Sequence, residues 1–332
     1  MNSPRWITWT DASFVLRGFL MGAADIVPGV SGGTVALIVG IYSRLVTAIS
    51  HFDLSLVNHL RHRRWQAAVE HVDLRFCVAL GCGILLGALS LASLMHYLLE
   101  HEMSRTLAVF FGLILASTFL VARQVERWTA PNLAAGALAA LFAYWLCGQI
   151  AAEAEMSYGY LFFCAMIAIC AMILPGISGA FVLLILGMYH NVTGVIKDMA
   201  SGNITVDNIL VFVVFGAGCA LGLGAFSRIL RVLLTRYEAA TMTVLCGFML
   251  GSLRRVWPFK NPAADYPPDT PFKRMDFVNI WPTIDVAFVI ALLLAFAGFI
   301  AVLAIDWIAR RNPATPVRSA ETLEAEAEHI EH

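Results

Sequence analysis

Uncharged apolar runs dominate the chain and are separated by short polar connections. They cover residues 76–99, 106–122, 130–152, 208–227, 239–253 and 286–305. A helix that crosses a bilayer needs about 20 mostly apolar residues. Five of the runs meet that length and the 239–253 run is short, so the pattern predicts roughly six spans. Two further stretches are too long to be single spans. Residues 156–196 contain no Asp, Glu, Lys or Arg, and as one helix they would reach about 60 Å at 1.5 Å per residue. That is twice the hydrocarbon thickness, so this stretch must fold back, and Leu174-Pro175-Gly176 is the break. Residues 17–44 do the same around Pro28-Gly29. Neither tip carries the charged loop of a hairpin that emerges into water. Both are read as re-entrant helical hairpins, with a pair of full spans as the alternative.

The two breaks are copies of one motif. Pro28-Gly29-Val30-Ser31-Gly32-Gly33 returns as Pro175-Gly176-Ile177-Ser178-Gly179-Ala180, and nine of fifteen positions from Pro28 to Tyr42 match those from Pro175 to Tyr189. The likeness continues downstream. Gly81, Gly83, Leu86 and Gly87 pair with Gly216, Gly218, Leu221 and Gly222; Thr106, Val109, Gly112 and Ser117 pair with Thr241, Val244, Gly247 and Ser252. These glycines are read first as sites of close helix packing. Each unit is a hairpin followed by three spans, one over 13–150 and the other over 156–311. Three crossings are an odd number, so the second unit must start from the opposite face. The fold class expected is therefore an all-α membrane protein built as an inverted repeat, the plan of secondary transporters with a site near the midplane.

Charge orients this plan. Arg61, Arg63, Arg64 and Arg75, then Arg123 and Arg127, then Arg228, Arg231 and Arg236, then Arg310 and Arg311 fall on one side by parity. The positive-inside rule makes that side cytoplasmic, together with both termini. Arg254 and Arg255 fall on the opposite side against the trend, as interfacial anchors or as substrate contacts. The segment 51–71 mixes Leu54, Val57 and Leu60 with basic residues and suits a membrane surface. The Ala/Glu-rich tail over 312–332 is read as an acidic cytoplasmic extension.

Composition agrees with the pattern. Hydrophobic residues make up 59% of the chain and charged residues 14%, against about 25% charged in soluble domains; mean hydropathy is +0.76. All seven cysteines lie in apolar segments without metal-ligand spacing, and they read as packing residues. No metal, cofactor or nucleic-acid partner is expected. The oligomeric state is left open, a homodimer included.

The motif has its own chemistry. After each Pro-Gly break the chain resumes as a helix, with Ser31 and Ser178 at the N-cap position. The amides that follow (Gly32, Gly33 and Thr34; Gly179, Ala180 and Phe181) then lack helical partners. Such an end binds anions, phosphate in particular. The simpler reading is that each Pro-Gly-x-Ser-Gly turns a tight hairpin and its serine only caps the helix. Asp25 lies one turn before Pro28, where the second unit has Met172. An intramembrane carboxylate suggests proton coupling; bracing the amides of its own hairpin is the alternative. Arg17 either attracts an anion or snorkels to the interface. His96 reads as an interfacial histidine.

Taken together, Gly22-Ala23-Ala24-Asp25-Ile26-Val27-Pro28-Gly29-Val30-Ser31-Gly32-Gly33-Thr34 with Gly40-Ile41-Tyr42, and Leu174-Pro175-Gly176-Ile177-Ser178-Gly179 with Gly187-Met188-Tyr189, resemble the signatures of the bacterial polyprenyl-phosphate transporter family. The likeness spans residues 13–311. It implies a multi-pass protein of the bacterial cytoplasmic membrane, not an enzyme. Such a carrier returns undecaprenyl phosphate from the outer to the inner leaflet for envelope synthesis, with protons and membrane lipids as further partners. Undecaprenyl-pyrophosphate phosphatases carry a similar turn, but theirs continues with an arginine and is accompanied by paired glutamates. Here Gly32 and Gly179 stand at that position, and neither hairpin contains a glutamate. A soluble-anion/proton exchanger fits the fold but not the resemblance.

Overall fold

The computed structural model describes residues 9–26, 31–150, 154–264 and 277–311. The break residues Pro28, Gly29 and Val30 and the tail 312–332 lie outside the described residues. Fourteen helices and one short hairpin of strands are present among the described residues. In the first half these are α1 (Trp9–Asp25), α2 (Gly32–Ile38), α3 (Tyr42–Ser50), α4 (Leu54–Arg61), α5 (Trp65–His71), α6 (Leu74–His101), α7 (Met103–Ala122) and α8 (Ala130–Leu146). The second half has α9 (Tyr158–Ile173), α10 (Gly179–Ile185), α11 (Tyr189–Ala200), α12 (Val206–Arg236), α13 (Glu238–Ser252) and α14 (Val286–Arg311). Strands β1 (Lys260–Pro262) and β2 (Phe277–Asn279) pair antiparallel between α13 and α14.

The protein is an all-α, multi-pass membrane protein. Helices α6, α7, α12 and α14 are long and apolar enough to cross a bilayer. Leu85, Leu89, Phe212, Val213, Leu292 and Phe296 on three of these are exposed, as side chains facing lipid must be. Helix α7 is instead the central one. Its buried Ser117 and Thr118 donate to the carbonyls of Leu113 and Ile114, at 2.5 and 2.8 Å, so their hydroxyls are satisfied within the helix.

All six apolar runs are helical, and two of the helices are short. The apolar run 130–152 is helical only over the 17 residues of α8, about 26 Å at 1.5 Å per residue, and α13 has 15 residues. The physical reason for the early end of α8 is visible at Gly148. The Arg254 side chain fills the space a Cβ would need there, and its Nη1 donates to the Tyr144 carbonyl at 2.9 Å. A guanidinium thus takes over a carbonyl of the last turn.

Glycines set the helix pairing. Gly18 and Gly22 of α1 face the backbone of α6, and Gly83 and Gly87 of α6 face the backbone of α1. In the second half Gly218 and Gly222 of α12 face Phe162, Ala165 and Met166 of α9. Small residues four apart let backbones approach closely. Gly81 and Gly216 meet nothing, so packing does not account for them.

Contacts fix where the hairpins enter. The N-terminal end of α1 meets the start of α6 through Asp11 and Arg75, whose Nε–Oδ1 distance is 2.8 Å. The returning arm reaches the same end, where Arg44 pairs with Asp73 at 2.6 Å. The first hairpin therefore enters and leaves where α6 begins. That is also where α12 ends, because Arg228 donates to the Phe52 carbonyl at 3.0 Å. The second hairpin enters where α12 begins: the Tyr158 hydroxyl meets Asp207 at 2.6 Å, and that of Tyr160 meets the Leu186 carbonyl at 3.0 Å. With 31 residues, α12 is about 46 Å long. The hairpins accordingly come in from opposite ends of the molecule.

Within each hairpin the turn back is built alike. Gly40 has φ +70° and Gly187 has φ +73°, a left-handed conformation that glycine adopts without strain. Ile41 N donates to the Ala36 carbonyl and Met188 N to that of Leu183, both at 2.9 Å. This six-to-one bond closes a Schellman motif. It ends α2 and α10 at seven residues each and sets α11 at 114° to α10.

Candidate functional site: the junction of the two hairpin tips

Helix α9 ends at the Pro175 turn, which leaves its last carbonyls without helical donors. Hydroxyls of the first hairpin supply them. Ser31 Oγ lies 3.4 Å from both the Met172 and the Leu174 carbonyls, and Tyr42 Oη donates to that of Ile173 at 3.2 Å. In return Thr34 Oγ1 accepts from the Gly176 amide at 3.0 Å. Ser31 and Thr34 are each only 1% exposed, so this junction is held dry. The approach is close because Gly33 has no side chain; a Cβ there would sit 2.7 Å from the Ile173 carbonyl oxygen.

The two helix starts differ in how their amides are used. At α2, Ser31 caps: its Oγ accepts from Gly33 N at 3.1 Å, and Thr34 N turns back to the Ser31 carbonyl at 2.9 Å. Gly32 N donates to Asp25 Oδ1 at 2.5 Å. A carboxylate from the same hairpin thus occupies the place where an external anion would bind. At α10, Ser178 sits at the N-cap with φ −95° and ψ 127° but makes no side-chain cap bond. The amides of Gly179, Ala180 and Phe181 have no hydrogen-bond partner among the described residues. Where the first hairpin has Asp25, the second has Met172, 47% exposed. The first start is closed by its own side chains, whereas no side chain caps the second, where Gly179 and Phe181 are buried and Ala180 is exposed.

The remaining polar residues lie elsewhere. Arg17 is half-buried at the mouth of the first hairpin, 5.9 Å from the Phe14 ring, two helical turns from Asp25 and away from the tips. His96 lies 3.9 Å from Glu100 on an exposed face of α6. The second hairpin has a cationic neighbour that faces its helix start. Gly176 packs against Met249 and Ser252 at the end of α13, and just beyond, the Arg255 guanidinium stands 4.2 Å over the Phe181 ring. Among the described residues no group of three or more His, Cys, Asp or Glu side chains could hold a metal.

Comparison with known proteins bears on this geometry. Residues 21–271 match the profile of a family described as undecaprenyl phosphate translocase-like. The chain belongs to that family. It is 40% identical over 248 residues to a polyprenyl-phosphate transporter of Vibrio cholerae, covering 75% of this chain and 78% of that protein. It is 29% identical over 270 residues to a polyprenyl-phosphate transporter of Staphylococcus aureus, covering 78% and 88%. No solved structure matches significantly. The matched region contains the second hairpin, the end of α1 with Asp25, and the junction of the two tips.

Three features of the site escape sequence reasoning. Thr34 and Tyr42 bond across some 140 and 130 residues of chain, and no local signal announces such pairs. The stacking of Arg255 on Phe181 had one clue, its departure from the charge pattern of the loops.

Proposed function

We propose that this protein carries polyprenyl phosphate across the bacterial cytoplasmic membrane, returning undecaprenyl phosphate from the outer to the inner leaflet with protons. Its family and the names of its relatives support the substrate class. The observation that carries the mechanism is the bond from Gly32 N to Asp25, a carboxylate held in an anion position at the meeting point of the hairpins. The phosphate is bound by the unpaired amides of Gly179 and Ala180 with Ser178, and then by the amide of Gly32, which Asp25 holds in the resting state; Gly33 N and Thr34 N keep their bonds to Ser31. Hydrogen bonds to a charged group contribute about 1.5–3 kcal/mol each, so a few of them offset much of the cost of a charge in the bilayer. When Asp25 takes up a proton, its bond to the Gly32 amide weakens and its charge no longer repels the phosphate, which replaces it. That exchange couples one proton to one headgroup.

The reading also takes the chain as two inverted units, 13–150 and 156–311. It is supported by the opposite approach of the hairpins and by the pairing of α7 with α14 and of α8 with α13 across the halves. Energetics favour a proton partner. Moving one negative charge toward an inside-negative cell costs about 2.3 kcal/mol per 100 mV, and a phosphate monoester carries about −1.5 to −2.

Reconstitution in liposomes tests the proposal. Polyprenyl phosphate supplied to one leaflet should appear in the other only in liposomes that contain the protein, while entrapped inorganic phosphate stays inside. Release of inorganic phosphate without movement of the lipid would make the protein a soluble-anion exchanger instead.

A further inference from the structure

The return arm of the first hairpin ends in a cluster of histidines, on the side where that hairpin enters. His51 stands at the C-terminal end of α3. Its half-buried ring stacks on that of His71 at the end of α5, with centroids 4.6 Å apart and planes at 15°, and its Nδ1 lies 2.6 Å from the His71 carbonyl. His71 Nε2 lies 3.1 Å from Asp53 Oδ1, which also accepts from Leu56 N at 3.0 Å and so caps α4. The His59 ring of α4 approaches that of His71 at 5.6 Å. Phe52, between His51 and Asp53 in the chain, offers its carbonyl to Arg228 of α12 at 3.0 Å. Residues 51–53 thus tie α3, the α4–α5 pair and α12 at one node.

The partners fix where the hydrogens sit. A carbonyl and an ionised carboxylate only accept, so His51 carries hydrogen on Nδ1 and His71 on Nε2. A neutral His51 therefore keeps a bare Nε2, and a further proton there puts a charge on a half-buried ring. Burial opposes that charge most, followed by the charges of Arg231 on α12 and of His71 on α5. The bond to the His71 carbonyl and the Asp53 carboxylate favour it, and the net effect holds the imidazole below the ordinary histidine range. A group so depressed takes up its proton more readily once the contact is open. The stack is firm while His51 is neutral, and it weakens as pH falls below the ordinary histidine value of about 6.5.

We infer that the His51–His71 stack is an acid-opened latch that holds the α4–α5 pair against the return arm of the first hairpin. The helices it holds are the ones that open most readily: α4 has no buried residue and α5 has only Ala68, and segments with few buried contacts open first. Opening frees the C-terminal end of α3. The start of α3 carries Tyr42, whose hydroxyl serves the Ile173 carbonyl at the junction of the tips. Arg44 still ties the arm to Asp73 at the start of α6, at 2.6 Å, so the arm is loosened at one end and stays folded. The latch does not depend on the carrier reading. On that reading it lies on the side that receives phosphate and protons, and a build-up of protons there loosens the hairpin that delivers them.

Hydrogen exchange of the full-length protein in phosphatidylcholine nanodiscs tests this at pH 7.5 and 5.0, with rates corrected for the intrinsic pH dependence of exchange. In wild type, protection of the amides over 54–72 should fall by about threefold or more at the lower pH, while that of α7 stays unchanged. His51→Gln keeps an N–H for the His71 carbonyl but takes up no proton, so its protection should be level across the two pH values. His71→Phe leaves the backbone carbonyl and a ring to stack on, without the opposing charge, and should show a smaller fall than wild type. His59→Gln, outside the stack, should respond as wild type does. Unfolding temperatures confirm that the variants are folded. Level protection in wild type would overturn the latch, and so would an undiminished fall in both His51→Gln and His71→Phe. A response lost in His59→Gln and kept in His51→Gln would overturn it too, by placing the titrating group on α4. No lipid movement enters this measurement, so the latch and the carrier reading fail separately.

Discussion

The Gly32 amide donates to the Asp25 carboxylate at 2.5 Å, so the start of α2 is closed by an acid seven residues earlier in the same hairpin. The equivalent start of α10 has Met172 in place of that acid and no side-chain cap bond. Two near-copies of one motif thus differ in whether a carboxylate meets the first helical amide.

The first prediction follows from the charge of Asp25. In Asp25→Asn the amide oxygen still accepts from Gly32 N, so the hairpin keeps its shape and loses only its ionisation. The variant should bind farnesyl phosphate as wild type does, and its transport should no longer respond to an imposed pH gradient. Full gradient-driven transport would make Asp25 a brace and nothing more. Asp25→Leu leaves the Gly32 amide without a partner and should cost about 1–3 kcal/mol of stability, read as a lowered unfolding temperature.

The seam between the tips should depend on Thr34. Thr34→Val keeps the shape but removes the acceptor of the buried Gly176 amide, and an unmet buried donor costs about 1–3 kcal/mol. Thr34→Ser keeps the oxygen and should be near wild type. Thermal unfolding in detergent distinguishes the two; equal stability of Val and Ser variants would show that the tips do not rely on this bond.

Glycine at position 32 should matter through space. An added Cβ would lie 2.7 Å from Asp25 Oδ2, so Gly32→Ala must push the carboxylate away from the amide it accepts from. Transport should fall several-fold, and the double variant Gly32→Ala with Asp25→Asn should add little to Asp25→Asn alone. Additive losses would place the effect of the methyl group elsewhere.

Much of the framework is legible in the chain because its signals are local. Pro-Gly inside an apolar run forces a break, and Gly40 and Gly187 mark the turn that lets each arm return. Gly83, Gly87, Gly218 and Gly222 announce close packing by their spacing alone. The site is legible in part: Ser31, Gly32, Ser178 and Asp25 stand out as polar or flexible residues where apolar ones belong. The contact of Asp25 with Gly32 is not, since no local signal sets the distance between two residues on either side of a helix break. Tyr42 was visible only as a repeated letter, yet its hydroxyl serves a carbonyl of the other unit. The end of α8 at Leu146 also escapes sequence reasoning, because Arg254, more than a hundred residues later, takes over the Tyr144 carbonyl.

The most direct measurement is the initial rate at which polyprenyl phosphate moves between leaflets of liposomes containing either wild type or Ser178→Leu. In Ser178→Leu a bulky apolar side chain stands at the uncapped start of α10, while the Asp25–Gly32 and Thr34–Gly176 bonds are left in place. The account predicts that the variant inserts and folds like wild type but moves lipid phosphate no faster than protein-free liposomes. Movement at the wild-type rate would contradict it and place the phosphate path away from the hairpin tips.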